Sequence, residues 1–225
     1  MQTIAIAIDG PAGAGKSTLA RILAKELEYI YVDTGALYRA VGYYVIGKGV
    51  EPNDADNVVP LLDGLQVSLA FADGVQQVLL NGENISDKIR TPAVSMAASA
   101  VSAIPAVRTF LFDLQQNMAK THNVIMDGRD IGTVVLPWAP IKIFLSASPE
   151  ARAKRRLKEL LEKGENVTFD DVLRDMKQRD YNDSHRAVAP LKPADDAIMV
   201  DTSDINLEQS VELLKSIVKE KLTCL

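Results

Sequence analysis

The chemistry in this chain starts at Gly10-Pro11-Ala12-Gly13-Ala14-Gly15-Lys16-Ser17-Thr18, which matches the spacing G-x-x-x-x-G-K-[ST] in full. Without Cβ atoms, Gly10, Gly13 and Gly15 let the backbone curl so that successive N–H groups point inward at phosphate oxygens. Lys16 is then placed to reach the β- and γ-phosphates of a nucleoside triphosphate, and Ser17 to offer its hydroxyl to Mg²⁺. A helix opening at this point adds the partial positive charge of its N-terminus.

Further acidic residues stand where a metal-bound phosphate could use them. Asp33 and Asp127 each follow an apolar run, so each carboxylate falls at a strand end where it could hold Mg²⁺ through water or merely cap a helix. After Asp127 the chain reads Gly128-Arg129-Asp130, with glycine where motor ATPases place the glutamate that activates water. The guanine-specific Asn-Lys-x-Asp sequence is absent. Transfer of a phosphoryl group to a bound acceptor fits this pattern better than hydrolysis, because such transfer needs positioning and charge neutralisation above all. Arginines could supply the neutralising charge. Arg152, Arg155 and Arg156 have spacings of three and four and are expected on one helix face, while Arg39, Arg108, Arg129, Arg179 and Arg186 are scattered through the chain. Any one of them reads simply as a surface ion pair; as a set beside strand ends they read as a phosphate-binding array.

Alternating strands and helices must position these groups. Ile4–Ile8 reads as a buried strand before the loop, and Leu19, Ile22, Leu23 and Leu27 recur at helical spacing after it. Further strands are expected at Tyr29–Val32, Asn123–Met126, Ile141–Leu145 and Ala197–Val200. Helices are expected over Ala36–Ile46, from Pro92 behind a Thr91 cap, from Pro105 to Lys120, from Pro149, and along Leu207, Val211, Leu214, Val218 and Leu222. The alternation predicts an α/β fold with a parallel sheet of about five strands flanked by helices. Ligands of such sheets sit beyond the carboxyl ends of the strands, where Gly10, Asp33 and Asp127 fall. Leu65–Leu80 breaks the pattern: it reads as a hairpin turning at Ala72-Asp73-Gly74, with a third short strand after Asn81-Gly82, inside an insertion lobe spanning 49–90.

With 225 residues, of which 47% are hydrophobic, the chain suits one globular domain, 1–225, carrying that insertion. A single cysteine, Cys224, allows no disulfide framework and points to a reducing cytoplasm. The N-terminal apolar run ends at Asp9, short of a signal peptide, and the Ala-rich stretch 93–107 is interrupted by serines and Pro105, so no membrane association is expected. A net charge of −5 gives a long polyanion no overall footprint, which argues against a nucleic-acid partner.

Five segments carry a resemblance. Ile8–Thr18, Asp33-Thr34-Gly35-Ala36-Leu37-Tyr38-Arg39, Ile89-Arg90-Thr91-Pro92, Asp127-Gly128-Arg129-Asp130-Ile131-Gly132-Thr133-Val134-Val135 and Arg186-Ala187-Val188-Ala189-Pro190-Leu191 together make the chain similar to the cytidylate kinases among the nucleoside-monophosphate kinases. The first segment is generic to phosphate-loop proteins; the last two are specific to that group. The resemblance implies a P-loop sheet with the β-rich lobe on the monophosphate side and a helical lid around 160–171. It implies transfer from ATP to CMP or dCMP with Mg²⁺, by a monomer. Carried over by position, Thr34, Arg39, Ser99, Arg108, Arg129, Asp130, Arg179, Asp183 and Arg186 would surround the monophosphate. Ser99, Arg108 and Asp183 would meet base or sugar, and Arg129 and Arg186 phosphates. Lys16, Arg129, Arg155 and Arg186 would act on the transferring group, with Ser17, Asp33 and Asp127 around the metal. Thr34 stands where serine is common, keeping the hydroxyl, and His185 where another polar residue is usual.

Overall fold

The computed structural model describes residues 3–72, 75–162 and 164–224. Its centre is a parallel sheet of β1 (Ala5–Asp9), β2 (Ile30–Asp33), β6 (Val124–Gly128), β7 (Ile141–Ser146) and β8 (Ile198–Asp201), in the order β2-β6-β1-β7-β8. The predicted strands are all present, each displaced by a residue or two at its ends. Around it lie α1 (Lys16–Leu27), α2 (Thr34–Gly47), α3 (Ala55–Val58), α4 (Pro92–Val101), α5 (Pro105–Thr121), α6 (Pro149–Glu162), α7 (Phe169–His185) and α8 (Leu207–Leu222).

The period of two along β1 divides the core. Ile6 and Ile8 face α1 and α8, packing with Leu19, Leu23, Leu214 and Val218, whereas Ala5 and Ala7 face the opposite layer with Val32, Met126 and Ala119. By the same alternation Asp9 continues the Ala5–Ala7 face, so a carboxylate closes an otherwise apolar row. Register sets the active end: Ile8 pairs with Asp127, Asp33 with Asp127 and Asp9 with Gly128, which lines up the strand-end carboxylates in adjacent strands.

The insertion folds as α3, a 3₁₀ turn at Val59–Leu62, and an antiparallel sheet of β3 (Val67–Ala72), β4 (Val75–Leu80) and β5 (Glu83–Asn84). Its expected turn at Asp73-Gly74 lies outside the described residues. The sheet's inner residues Val78 and Leu80 share one core with Leu37 and Val41 of α2, Val94 of α4 and Leu111 of α5. Gln76 of β4 also grips the edge of the main sheet, accepting from Asp33 N at 2.9 Å and donating to Asp33 O at 3.3 Å. Close packing brings α4 to the active end. A Cβ on Gly42 would lie 2.9 Å from the Ala98 nitrogen, so only glycine allows α2 and α4 this near.

Thr91 caps α4, its Oγ1 accepting from Val94 N at 3.3 Å, with Pro92 in the first turn as expected. After β6 the chain makes one π-helical turn, Ile131–Val135, in which Val135 N donates to Asp130 O and Leu136 N to Ile131 O. The loop that follows carries Trp138, which is partly exposed. Helices α6 and α7 form a pair with a small core of Ala153, Leu160, Val172 and Met176. Among the described residues no single helix is long and apolar enough to cross a membrane, and α4 and α5, apolar enough together, are bent by 100°.

Candidate functional site

Beyond the carboxyl ends of β1, β2 and β6 lies a cleft of about 490 Å³, walled by the phosphate loop, α2, α4 and the α6–α7 pair. Gly10 leaves β1 at φ 147°, and a Cβ there would fall 1.9 Å from the Leu145 carbonyl oxygen, so the loop can turn against β7 only as glycine. Gly13 and Gly15 also adopt positive φ, and Gly15 opens α1 without a side-chain cap, leaving the first N–H groups of the helix for an anion. Ala12, Gly13, Lys16 and Ser17 line the cleft. Gly10, Pro11, Ala14 and Gly15 shape the loop from behind, and Thr18 points outward on α1.

Lys16 is buried, with Nζ donating to Pro11 O at 2.8 Å. Burial and the Arg129 charge push its ammonium down to about 7, against the pull of Asp127 and Asp9. Ser17 Oγ donates to Asp127 Oδ2 at 2.7 Å and the Tyr31 hydroxyl to Asp127 Oδ1 at 3.1 Å. Burial and the neighbouring Asp33 raise the Asp127 carboxyl. A hydroxyl and a carboxylate this close form an all-oxygen donor pair, the kind Mg²⁺ takes together with nucleotide phosphates. Asp33 is engaged otherwise: it caps α2 through Ala36 N at 2.9 Å, receives Arg39 at 2.7 Å and has Arg90 at 3.6 Å. Although burial works the other way, those arginines hold its carboxyl below the usual range. Its first task is therefore to orient cations, and of the expected metal residues only Ser17 and Asp127 touch each other.

Around the rest of the cleft lie two clusters of arginines and aspartates. In one, Arg129 Nε donates to Asp183 Oδ2 at 2.8 Å, and Ser99 Oγ meets Asp183 Oδ1 at 3.4 Å. Arg179 belongs beside them; its Nε is buried without a partner, and burial with the Arg129 charge lowers its pKa to about 10. Arg39 Nε is likewise unpartnered. These guanidiniums crowd one another with donors to spare, a condition an anion would relieve.

In the other cluster Asp130 binds two arginines, Arg108 and, at 3.3 Å, Arg186. Arg186 also donates to Ala189 O at 2.7 Å and to Ser102 Oγ at 3.2 Å. Thr34 lines the cleft while its Oγ1 donates to Asp127 O at 2.7 Å.

Arg186, expected with Arg129 on phosphates, lines the same cleft beside Asp130 and Arg108, where the chain after α7 folds back to bring Ala189 O to its Nε. One placement corrects the sequence expectation. Arg152, Arg155 and Arg156 do not present one common face. Arg152 turns inward to Ala12 O, Ala147 O and Asp180; Arg155 binds the Thr202 carbonyl beyond β8 and does not line the cleft; Arg156, one residue on, does. Adjacent residues on a helix diverge by about 100°. Arg108 also stands behind the cleft, buried, with its guanidinium over the Tyr38 ring, 5.6 Å from the centroid.

Sequence reasoning missed Tyr38 and Ser102, which join the Arg108–Asp130 cluster, and Asp9, whose oxygens accept from Ile131 N at 2.8 Å and Gly132 N at 2.7 Å. Burial raises the Asp9 carboxyl to about 6, although both backbone donors favour its charged form. Strict alternation along β1 was the available signal, since it places Asp9 among buried residues where a carboxylate needs partners.

Comparison with known proteins places the chain in a family. A protein of Eubacterium ventriosum shares the fold at a TM-score of 0.53 with 12% identity, over 96% of this chain and 99% of that one. The cytidylate kinase of Caldicellulosiruptor saccharolyticus is 50% identical over 94% of both chains, and that of Caldicellulosiruptor bescii 49% identical over 99% of this chain and all of its own. The family model described as cytidylate kinase matches residues 6–220, taking in the phosphate loop and both arginine clusters, and the chain belongs to the cytidylate kinase family.

Proposed function

We propose that this chain transfers the γ-phosphoryl group of ATP to CMP or dCMP, giving ADP and CDP or dCDP. The observation that carries the reading is one cleft with two kinds of phosphate grip: the loop with Lys16 on one side, and Arg39, Arg129 and Arg179 facing it on the other. A hydrolase or switch has no use for the second.

In this reading the loop N–H groups and Lys16 hold the donor phosphates, and Ser17 and Asp127 would hold Mg²⁺, which would offset phosphate charge. Arg39, Arg129 and Arg179 bind the acceptor phosphate and keep its attacking oxygen close to the γ-phosphorus. As charge spreads over the transferring group, Lys16, Arg129 and Arg156 stabilise it with donors already in place. The acceptor phosphate is largely ionised near neutral pH, so no side chain has to remove a proton. Ser99 and Asp183 are assigned to the sugar side. Arg186, Asp130 and Ser102 are assigned to the base, where forked donors meet O2 and N3 of a pyrimidine and carboxylate or hydroxyl oxygens accept from its exocyclic amine, with Arg108 behind them holding Asp130.

The lobe over 49–90 is assigned to acceptor binding through Gln76 and Asp33, and 160–171 to a lid. Cys224, exposed and the chain's one thiol, suits a reducing cytoplasm. ADP release measured with ATP and a panel of nucleoside monophosphates should favour CMP and dCMP; preference for AMP or GMP would sink the assignment.

A further inference from the structure

Asp9 takes no part in the chemistry above, yet it is 4% exposed and both its oxygens are spent on the backbone of a segment more than a hundred residues away. Ile131 and Gly132 open the π-helical turn, so their N–H groups are of the kind that a helix start leaves without partners. An aspartate at the capping position ordinarily takes the second or third of the helix's N–H groups, here Gly132 or Thr133, with its own side chain. Asp130 occupies that position but makes no capping bond, because its carboxylate is turned to Arg108 and Arg186. Asp9 supplies the cap in its place.

We propose that Asp9 is a positioning residue for acceptor recognition: by capping the turn at Ile131 and Gly132 it frees Asp130 to hold Arg108 and Arg186. The geometry also fixes where that turn sits. Asp9 immediately precedes Gly10, so one carboxylate ties the start of the donor loop to the acceptor segment Arg129–Asp130. β1 does not need this bond for its own place, being paired on both sides with β6 and β7 and packed through Ile6 and Ile8. Two oxygens of one anion match two backbone donors; an asparagine has one acceptor and would aim an N–H₂ group at the other donor.

The inference rests on the CMP kinase reading. Wild-type protein inactive with CMP would end that reading, whereas an active wild type lets the variants decide on Asp9 alone. In Asp9→Asn, where one of the two N–H groups loses its acceptor, Asp130 is expected to be drawn toward Gly132 N and to loosen its arginines. The KM for CMP should then rise about ten-fold and kcat fall about ten- to a hundred-fold, with the affinity for an ATP analogue within about two-fold of wild type.

Because Asp9 acts through Asp130, adding Asp9→Asn to Asp130→Asn should cost little more than Asp130→Asn alone. Losses that multiply, or an ATP affinity that falls with that for CMP, would overturn the proposal. Gly132→Ala covers the case in which Asp9→Asn does not fold. Its Cβ would meet Lys142 Cδ at 3.1 Å and Asp9 Oδ2 at 3.4 Å, pressing on the clasp through flexible side chains. The same split, a raised KM for CMP with ATP affinity kept, is expected there in milder form; unchanged constants would overturn the proposal.

Discussion

Lys16 stands between opposing demands: it must be charged to hold phosphate, yet burial and Arg129 lower its pKa to about 7. A polyphosphate favours the ammonium and raises that pKa, so above about pH 7 binding must draw a proton from solution. The association constant of a non-hydrolysable ATP analogue should therefore fall as pH rises from about 7.5 to 8.5, by up to about ten-fold per unit. Calorimetry in two buffers of different ionisation enthalpy would register uptake approaching about one proton. Lys16→Arg should abolish the slope, and a flat wild-type profile would contradict the account. For folding the sign is opposite to that of a paired lysine. The native state binds fewer protons than the unfolded chain between about 7 and the ordinary lysine value near 10.5, so this residue's cost to stability eases as pH rises through that window. Much of the site is legible at this scale, since Lys16, Ser17, Asp127 and Arg129 follow from motif and type. What escaped were choices of direction. The inward turn of Arg152 and the Thr202 bond of Arg155 depend on which neighbours the fold delivers.

Among the elements, the join between α6 and the phosphate loop rests on one side chain. Arg152 is 3% exposed and reaches the Ala147 carbonyl at 2.8 Å, the Ala12 carbonyl at 2.9 Å and Asp180 of α7 at 2.6 and 3.0 Å. Removing it leaves two carbonyls and a half-buried carboxylate unmatched. Arg152→Ala should destabilise the fold by about 3 kcal/mol in urea titrations, with Arg152→Lys recovering little because a single compact ammonium lacks the separated Nε, Nη1 and Nη2 donors that span these acceptors. A loss below about 1 kcal/mol would place this bridge among ordinary surface pairs. Periodicity and punctuation disclosed helix existence and most ends: Thr91-Pro92 and Pro105 began helices as expected, and the apolar runs became strands. The π-helical turn had no such signal. Its hydrogen bonds depend on Asp9 and on packing of Ile131 and Val135 against Ala5 and Ala7, partners remote in sequence.

At the scale of the whole molecule, the order β2-β6-β1-β7-β8 was not legible, because parallel pairing is decided by which helices cover which face. That order puts β1 centrally, with β6 and β7 beside it, so the phosphate loop and Arg129 leave the ends of adjacent strands, while Arg39 and Arg179 reach the cleft from α2 and α7. The α6–α7 pair completes the cleft with Arg156, Val167, Met176 and Arg179 while packing on a core of its own. Hydrogen exchange should accordingly slow over 164–168 when ATP analogue and CMP are bound together, with β1 unchanged; equal protection in the free protein would rule out a lid there. Trp138 adds an opportunity. It is the chain's one tryptophan, 45% exposed, in the loop that leaves the acceptor segment, and the adenine and cytosine rings bring no competing indole. Its emission comes from a single known place at the amino end of the sheet, beside Ile141 and away from the cleft, so an unlabelled sample in a stopped-flow cell can time opening of the core without a direct signal from bound nucleotide.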